Sequence, residues 1–275
     1  MDLTIHNALH DKTLEPVHLG IQNGQIKQIS SGEIAPGDKS IDARGAMVSP
    51  ALIEPHFHIE NALVWDEDNL NQSGTLREAI DIYADVKIQF DTQDIVQRST
   101  QTIRDALRHG TLWMRNHVDI DQYAKLDLLN GVVAAREKFK HVFDLQIIAF
   151  PQHGLTRNPE SVDLMWQAME NGAQLVGGIP HHEKDMEDAA RQIEIVFEIA
   201  KAKDVNIDMH IDGCLGCANS ESHHRQGQRS RHHGSDQCSH QPAAAGSRGQ
   251  DPGAARYCPR GRAAGSRCQC LLRAG

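Results

Sequence analysis

Two histidines at the end of a short apolar run are the first residues in this chain that suggest chemistry. His56 and His58 are separated by one residue and close the run over residues 47–58. On a strand, alternate side chains share a face, so both imidazoles would lie together at the strand's carboxyl end. Imidazoles that converge in this way suit Zn²⁺ or Fe²⁺. A His-X-His pair by itself is a weak signal, because surface or hydrogen-bonded histidines explain it slightly better.

Polar residues at the ends of other apolar runs strengthen the hypothesis of a site. His210 closes the run 205–210, and three further runs end in clusters of polar residues. Burying an unpaired polar group costs about 1 to 3 kcal/mol, so packing alone does not explain the clusters. The pattern therefore predicts a polar active-site rim. Its other members are Arg115, His117 and Asp119, then Gln152 and His153, then His181, His182 and Glu183.

Apolar runs that alternate with helical patterns predict an α/β fold. Such alternation is typical of a parallel sheet with crossover helices. No Gly-rich phosphate loop follows the first run, which argues against a dinucleotide-binding fold. The pattern favours an incomplete (β/α)8 TIM barrel with five of its eight strands. The predicted strands are 47–58, 112–118, 145–150, 175–179 and 205–210, and the predicted helices are 75–90, 94–109, 123–139, 160–171 and 186–203.

The first part of the chain predicts a small antiparallel sheet. Residues 3–9, 17–21 and 25–29 alternate apolar with polar side chains, and Gln22-Asn23-Gly24 is a hairpin turn signal. We therefore expect a β-sheet portion over 1–46 and a partial barrel domain over 47–212.

The last 63 residues differ in composition from the rest. All six cysteines lie after position 212, and the segment 213–275 contains no Ile, Val, Phe, Trp, Met or Lys. Its nine arginines and three acidic residues give a net charge of +6, against −15 for residues 1–212. A segment with so few large apolar side chains cannot offset its chain entropy by burial, so we predict a disordered tail.

The beginning of the chain and its hydropathy indicate a soluble protein. The segment Met1-Asp2-Leu3-Thr4 lacks the basic residues and apolar run of a signal peptide, and no segment approaches the roughly 20 apolar residues of a membrane span. We expect a cytoplasmic protein without membrane association. Residues 1–212 contain no cysteine, so disulfides play no part there.

Five segments, in chain order, match the pattern of a known family. They are Glu54-Pro55-His56-Phe57-His58, Asn71-Gln72-Ser73-Gly74-Thr75-Leu76, His117-Val118-Asp119, Asp144-Leu145-Gln146-Ile147-Ile148-Ala149-Phe150-Pro151-Gln152 and Gly178-Ile179-Pro180-His181. Together they resemble cytosine deaminase of the bacterial amidohydrolase superfamily, and the likeness runs through residues 1–212. The resemblance implies a (β/α)8 barrel beside a small β-sandwich built from both chain ends, which agrees with the opening hairpin.

The resemblance also implies roles for particular residues. His56, His58 and His210 match the ligands of one divalent metal ion, Fe²⁺ or Zn²⁺. Gln152 matches the side chain that binds the amide edge of a pyrimidine, and His181 matches a position at the barrel mouth. The implied reaction is hydrolytic deamination of a small cyclic substrate such as cytosine, with release of ammonia. Full-length relatives are expected to be homo-oligomers.

The likeness ends abruptly at Asp212. The family has a glutamate that shuttles a proton three positions after the fifth-strand histidine, where this sequence has Gly213. A sixth-strand histidine and an eighth-strand aspartate also lack counterparts, so no catalytic residue is assigned and we expect an inactive or impaired chain. The change in composition suggests that 213–275 is translated in a shifted reading frame; a natural disordered arm is the alternative.

Other functions remain open at this point. A related amidohydrolase acting on a triazine, a creatinine-like compound or another cyclic amidine is the alternative within the enzyme class. In a different class, the Arg-rich tail suggests a non-catalytic chain that adheres to nucleic acid. Tyr257 is its one aromatic residue for base stacking, so no specific nucleic-acid partner is expected. The spacing of Cys214, Cys217 and His223 is too short for a zinc finger.

Overall fold

The computed structural model describes residues 1–64 and 70–211 and two short later segments, 237–238 and 269–273. Its contacts divide the chain into two compact units, Met1–Ala51 and Leu52–Gly275.

The first unit is a five-stranded sheet. Its strands are β1 (Leu3–His10), β2 (Pro16–Gln22), β3 (Gln25–Ser30), β4 (Lys39–Asp42) and β5 (Met47–Val48). The order is β3-β2-β1-β4, with β5 also paired to β1, and β4 and β5 run parallel to β1. Asn23 and Gly24 adopt positive φ angles of 51° and 70°, as a two-residue hairpin turn requires, so the predicted hairpin is confirmed.

The second unit contains the five predicted barrel strands. They are β6 (Leu52–Phe57), β7 (Thr111–Asp119), β8 (Asp144–Phe150), β9 (Leu175–Gly178) and β10 (Asn206–His210). Each pairs in parallel with the next, in chain order. The sheet is a curled half-barrel, which confirms the predicted incomplete TIM barrel.

Five helices connect and cover these strands. They are α1 (Leu76–Lys87), α2 (Thr92–Arg108), α3 (Asp127–Phe139), α4 (Glu160–Glu170) and α5 (Met186–Lys203). Thr75, Asp91 and Asp185 cap the amino ends of α1, α2 and α5 by accepting hydrogen bonds from backbone N–H groups of the first turn. Short 3-10 turns, Ile59–Asn61 and Pro180–His182, follow β6 and β9.

The core of the second unit lies between sheet and helices. Apolar side chains of the strands and the inward faces of the helices are almost fully buried there. Examples are Met114, Leu145, Ile147, Val176 and Ile207 from the strands, and Ile103, Val132, Met165, Val196 and Ile199 from the helices. This packing fixes the carboxyl ends of the strands, where the polar residues of the predicted rim occur.

Two short strands were not predicted from the sequence. β11 (Gln237–Cys238) pairs antiparallel with β12 (Gln269–Arg273), which pairs antiparallel with β10. The sequence indicated disorder throughout 213–275, and the remainder of that tail lies outside the described residues. Within the described ranges, no helix is both long enough and apolar enough to cross a bilayer.

Candidate metal centre

The three histidines predicted as metal ligands lie together at the carboxyl ends of two strands. His56 belongs to β6, His58 follows it, and His210 is the last residue of β10. The ring centroids of His56 and His58 are 5.3 Å apart, and that of His210 lies 4.7 Å and 5.8 Å from them. Residues about 150 positions apart in the sequence therefore meet because β6 and β10 belong to one curled sheet.

A fourth imidazole, that of His117, belongs to the same cluster. Its ring centroid lies 4.5 Å from that of His56, 5.6 Å from His58 and 4.7 Å from His210. One ring nitrogen from each of His56, His58 and His117 lies within 4.8 Å of the others, close enough to hold one ion after a small inward movement. We call these four residues the histidine cluster.

His117 and His210 favour the neutral form. Burial, followed by the neighbouring imidazoles, lowers the pKa of His117 and of His210 well below the ordinary value. The Nδ1 atoms of both residues are buried without a hydrogen-bond partner among the described residues. Histidine binds a metal through a neutral imidazole with a free ring nitrogen. The donor set therefore fits a divalent ion.

Phe150 packs against the histidine cluster from β8. Its ring centroid lies 4.3 Å from that of His210 and 5.4 Å from that of His117, and its side chain is fully buried. The ring therefore excludes water from one side of the cluster.

A buried carboxylate stands behind His58. The Oε1 atom of Glu60 lies 3.9 Å from Nδ1 of His58, and Glu60 is fully buried. Its two oxygens accept hydrogen bonds from the side chain of Asn116 and the backbone N–H of Asp119, each at 3.2 Å. The 3-10 turn after β6 is thereby tied to β7.

A second buried carboxylate stands behind His117. The Oδ1 atom of Asp208 lies 3.4 Å from Nε2 of His117, and its other oxygen accepts a 2.8 Å hydrogen bond from Arg115. Arg115 also donates to Gln146 at 2.8 Å. Burial raises the pKa of Asp208 to about 6, against the opposing effect of Arg115.

The two residues predicted to contact substrate lie on loops beyond the next two strands. Gln152 follows β8 and is half-buried, and within the described residues its side-chain amide makes no hydrogen bond. His181 lies in the 3-10 turn after β9, and its charge is among those that lower the pKa of His210. Glu183 was predicted as part of the same rim, but it is buried and accepts hydrogen bonds from the backbone of residues 155–157.

The sequence model of the amidohydrolase family matches residues 39–255. The chain belongs to the amidohydrolase family.

Several relatives of the chain are named for ring compounds. The structure of 5-methylcytosine deaminase from Klebsiella pneumoniae, liganded with 5-fluorocytosine, superposes with a TM-score of 0.73 at 30% identity, covering 81% of this chain and 55% of that one. N-isopropylammelide isopropyl amidohydrolase of Pseudomonas sp. (strain ADP) is 27% identical over 76% of this chain and 53% of its own length. Pterin deaminase of Rhizobium rhizogenes is 27% identical over 70% of this chain and 44% of its own. The chain thus spans about half the length of these relatives.

The candidate site contains residues that sequence reasoning missed. His117 was predicted only at the rim, and Glu60 and Asp208 received no role. Glu60 follows His58 by two residues, and Asp208 precedes His210 by two, so each stands at a position that alternates toward the same side as a predicted ligand. This period-two spacing could have found the two carboxylates, but it carries no signal for His117.

Proposed function

We propose that the barrel portion binds one divalent metal ion, Fe²⁺ or Zn²⁺, through His56, His58 and His210. The convergence of these imidazoles from β6 and β10 is the observation that carries the proposal. His117 offers a fourth imidazole within reach. The amidohydrolase family is metal-dependent, and a bound ion of this kind supplies Lewis-acid chemistry that activates water at neutral pH.

We further propose that the reaction is hydrolytic deamination of cytosine or a similar pyrimidine. Among the described residues the side-chain amide of Gln152 makes no hydrogen bond, so its donor and its acceptor suit the amide edge of a pyrimidine. His181 lies in the 3-10 turn that follows the next strand, β9. The likeness to 5-methylcytosine deaminase supports this substrate class.

Proton transfer is the step for which this chain lacks a residue. Gly213 stands where the family's glutamate would accept the proton from water and deliver it to the leaving amine. A glycine has no side chain for that task. We therefore expect metal binding to be retained and ammonia release to be slow or absent.

A cyclic substrate other than a pyrimidine is the second candidate. N-isopropylammelide isopropyl amidohydrolase matches this chain over a longer stretch than pterin deaminase does, and related proteins act on triazines. Gln152 suits any ring with an amide edge, so measured ammonia release must distinguish a pyrimidine from a triazine.

Metal titration of the full chain tests the proposal directly. After removal of adventitious metal with a chelator, Zn²⁺ or Co²⁺ is added and bound metal is measured. We expect one tight equivalent, strong weakening in His58→Ala and in His210→Ala, and no change in His141→Ala, an exposed histidine outside the cluster. Absence of a tight equivalent in the folded wild-type chain would contradict the proposal.

Ammonia release identifies the substrate. The Zn²⁺-loaded and Fe²⁺-loaded chains are incubated with cytosine, isocytosine and N-substituted triazines, for the wild type and for Gly213→Glu. Release from cytosine that increases in Gly213→Glu supports the pyrimidine assignment. Release from a triazine alone would replace it with the second candidate.

A further inference from the structure

A buried lysine lies next to the proposed site without belonging to it. Lys87 is the last residue of α1, and its side chain is fully enclosed. Its Nζ donates to Asp119 Oδ2 at 3.1 Å and to Asp121 in a close ion pair, and lies 3.0 Å from His153 Nε2. These partners come from the end of β7, from the segment after it and from the loop after β8. One ammonium group therefore joins three separate parts of the barrel mouth.

The protonation states of this group follow from its surroundings. Burial alone would lower the pKa of Lys87, but Asp119 and Asp121 more than reverse this, so its pKa is raised. Burial and the charge of Lys87 lower the pKa of His153 to about 4. At neutral pH a charged Lys87 thus donates to a neutral imidazole.

The partners of Lys87 have the arrangement of a cation site. Ligand atoms of Asp119, Asp121 and His153 lie within 4.8 Å of one another. Two carboxylates and an imidazole are a donor set that suits a divalent metal. Here the ammonium group of Lys87 takes the place of such an ion and pairs with both buried carboxylates.

Lys87 contacts His153, the residue next to the proposed substrate contact Gln152. His153 follows Gln152 directly, and its carbonyl accepts a 2.7 Å hydrogen bond from the side chain of Asn158. The N–H of Gly154 donates to the carbonyl of Pro151, which closes a tight turn around Gln152. Glu183 holds the later part of this loop through three backbone N–H groups. Lys87 holds the earlier part.

We propose that Lys87 is a positioning residue: its ammonium links the ends of β7 and β8 and fixes the loop that carries Gln152. The consequence for substrate binding rests on the proposed function, in which Gln152 contacts the ring. The consequence for the order of the loop is independent of the proposed function.

Lys87→Met tests the proposal, because methionine keeps most of the length of the side chain and removes the charge. Hydrogen exchange of the backbone amides of 152–158 and the pKa of His153, followed by NMR, are measured without any ligand. We expect exchange about tenfold faster in the loop. We also expect the pKa of His153 to rise, because the remaining charges on it, from Asp81, Asp121 and His182, include two carboxylates. A residue that only filled space would leave that pKa unchanged.

Three further variants complete the experiment. Lys87→Arg keeps the cation and should retain slow exchange. Lys203→Met removes the ammonium of a surface pair with Glu170 and should change neither measurement. His153→Ala removes the contact between Lys87 and the loop but leaves the ion pairs of Lys87 with Asp119 and Asp121. It therefore tests the proposal if Lys87→Met does not fold. Unchanged loop exchange in folded Lys87→Met, or in His153→Ala, would overturn the inference.

Binding of cytosine separates this inference from the proposed function. A looser loop with weaker cytosine binding supports both. A looser loop in a chain whose wild type binds no cytosine supports the role of Lys87 and counts against the substrate assignment.

Discussion

At the scale of single residues, the members of the histidine cluster differ in the charge state that their surroundings favour. Burial lowers the pKa of His117 and His210. Burial also acts to lower the pKa of His58, but Glu60 outweighs it and the pKa is raised. Oε1 of Glu60 lies 3.9 Å from Nδ1 of His58, so its charge favours the tautomer with the proton on Nδ1 and leaves Nε2 for a metal ion. Glu60 thus selects the tautomer of a proposed ligand.

Glu60→Gln tests this selection. The amide keeps the shape of the side chain but loses the charge that favours the Nδ1–H tautomer of His58, so the affinity for Zn²⁺ should fall by about 10 to 100-fold. Competition with a chromophoric chelator measures the affinity, and Glu160→Gln, on the exposed amino end of α4, is the matched control. An affinity equal to that of the control would show that Glu60 has no influence on the ion.

Asp208 predicts a pH dependence of stability. Its pKa is raised from 3.8 to about 6 in the folded chain by burial. The unfolded state therefore releases its proton at lower pH, and the free energy of unfolding falls as pH rises from about 4 to 6. Above about pH 6, the ionisation of Asp208 lowers the free energy of unfolding by about 3 kcal/mol in all.

The comparison with Asp208→Asn isolates this contribution, because asparagine cannot ionise. Relative to the wild type, the metal-free variant should gain stability progressively between pH 4 and pH 7, by about 3 kcal/mol in all. Urea unfolding across this range measures the difference, and Asp163→Asn, exposed on α4, should show none. A difference that stays constant with pH would contradict the raised pKa.

At the scale of elements, Glu183 joins the loops that follow β8 and β9. Its carboxylate accepts hydrogen bonds from the N–H groups of Leu155, Thr156 and Arg157 and from the hydroxyl of Thr156. A Cβ on Gly154 would lie 2.8 Å from this carboxylate, and Gly154 has a φ of 85°, so only glycine allows the loop to approach so closely. The two loops of the proposed substrate side are therefore one linked structure.

Glu183→Gln should destabilise this link. The new NH₂ group faces backbone donors and leaves at least one of them unpaired, which should lower the free energy of unfolding by about 2 kcal/mol. Thermal or urea unfolding measures the loss. Glu187→Gln, an exposed glutamate in the first turn of α5, should change stability by no more than about 0.5 kcal/mol. Equal effects of the two substitutions would refute the link.

The sequence predicted the barrel elements well where period and capping agree. α5 has the predicted bounds, 186–203, because Asp185 caps its beginning and Asp204, with a φ of 51°, ends it. The run 47–58 was predicted as one strand but divides into β5 and β6, which pair with different sheets. Hydrophobic periodicity carries no information about which sheet a strand joins. For the same reason it gave no role to Glu60 or Lys87, whose partners are distant in sequence.

At the scale of the whole molecule, the sheet of the second unit ends at β6. Within the described residues β6 pairs only with β7, whereas β10 at the other side is covered by β12. Pro55 lies in β6, as expected for an edge strand, because it has no N–H to donate. The exposed fractions of Leu52 and Ile53 are 55% and 37%. An edge strand with exposed apolar side chains is a template for association with another chain.

Self-association through this edge is the prediction for the molecule as a whole. The wild-type chain should form larger species as its concentration rises, and Ile53→Lys should suppress them, since a charged side chain on an edge strand opposes pairing with a second sheet. Multi-angle light scattering over a concentration series measures the effect. Leu14→Lys, which places the same charge at a 61% exposed position in the first unit, should leave association as in the wild type. A monodisperse wild-type chain at every concentration would contradict the prediction, and equal suppression by both lysines would assign it to net charge instead of to the β6 edge.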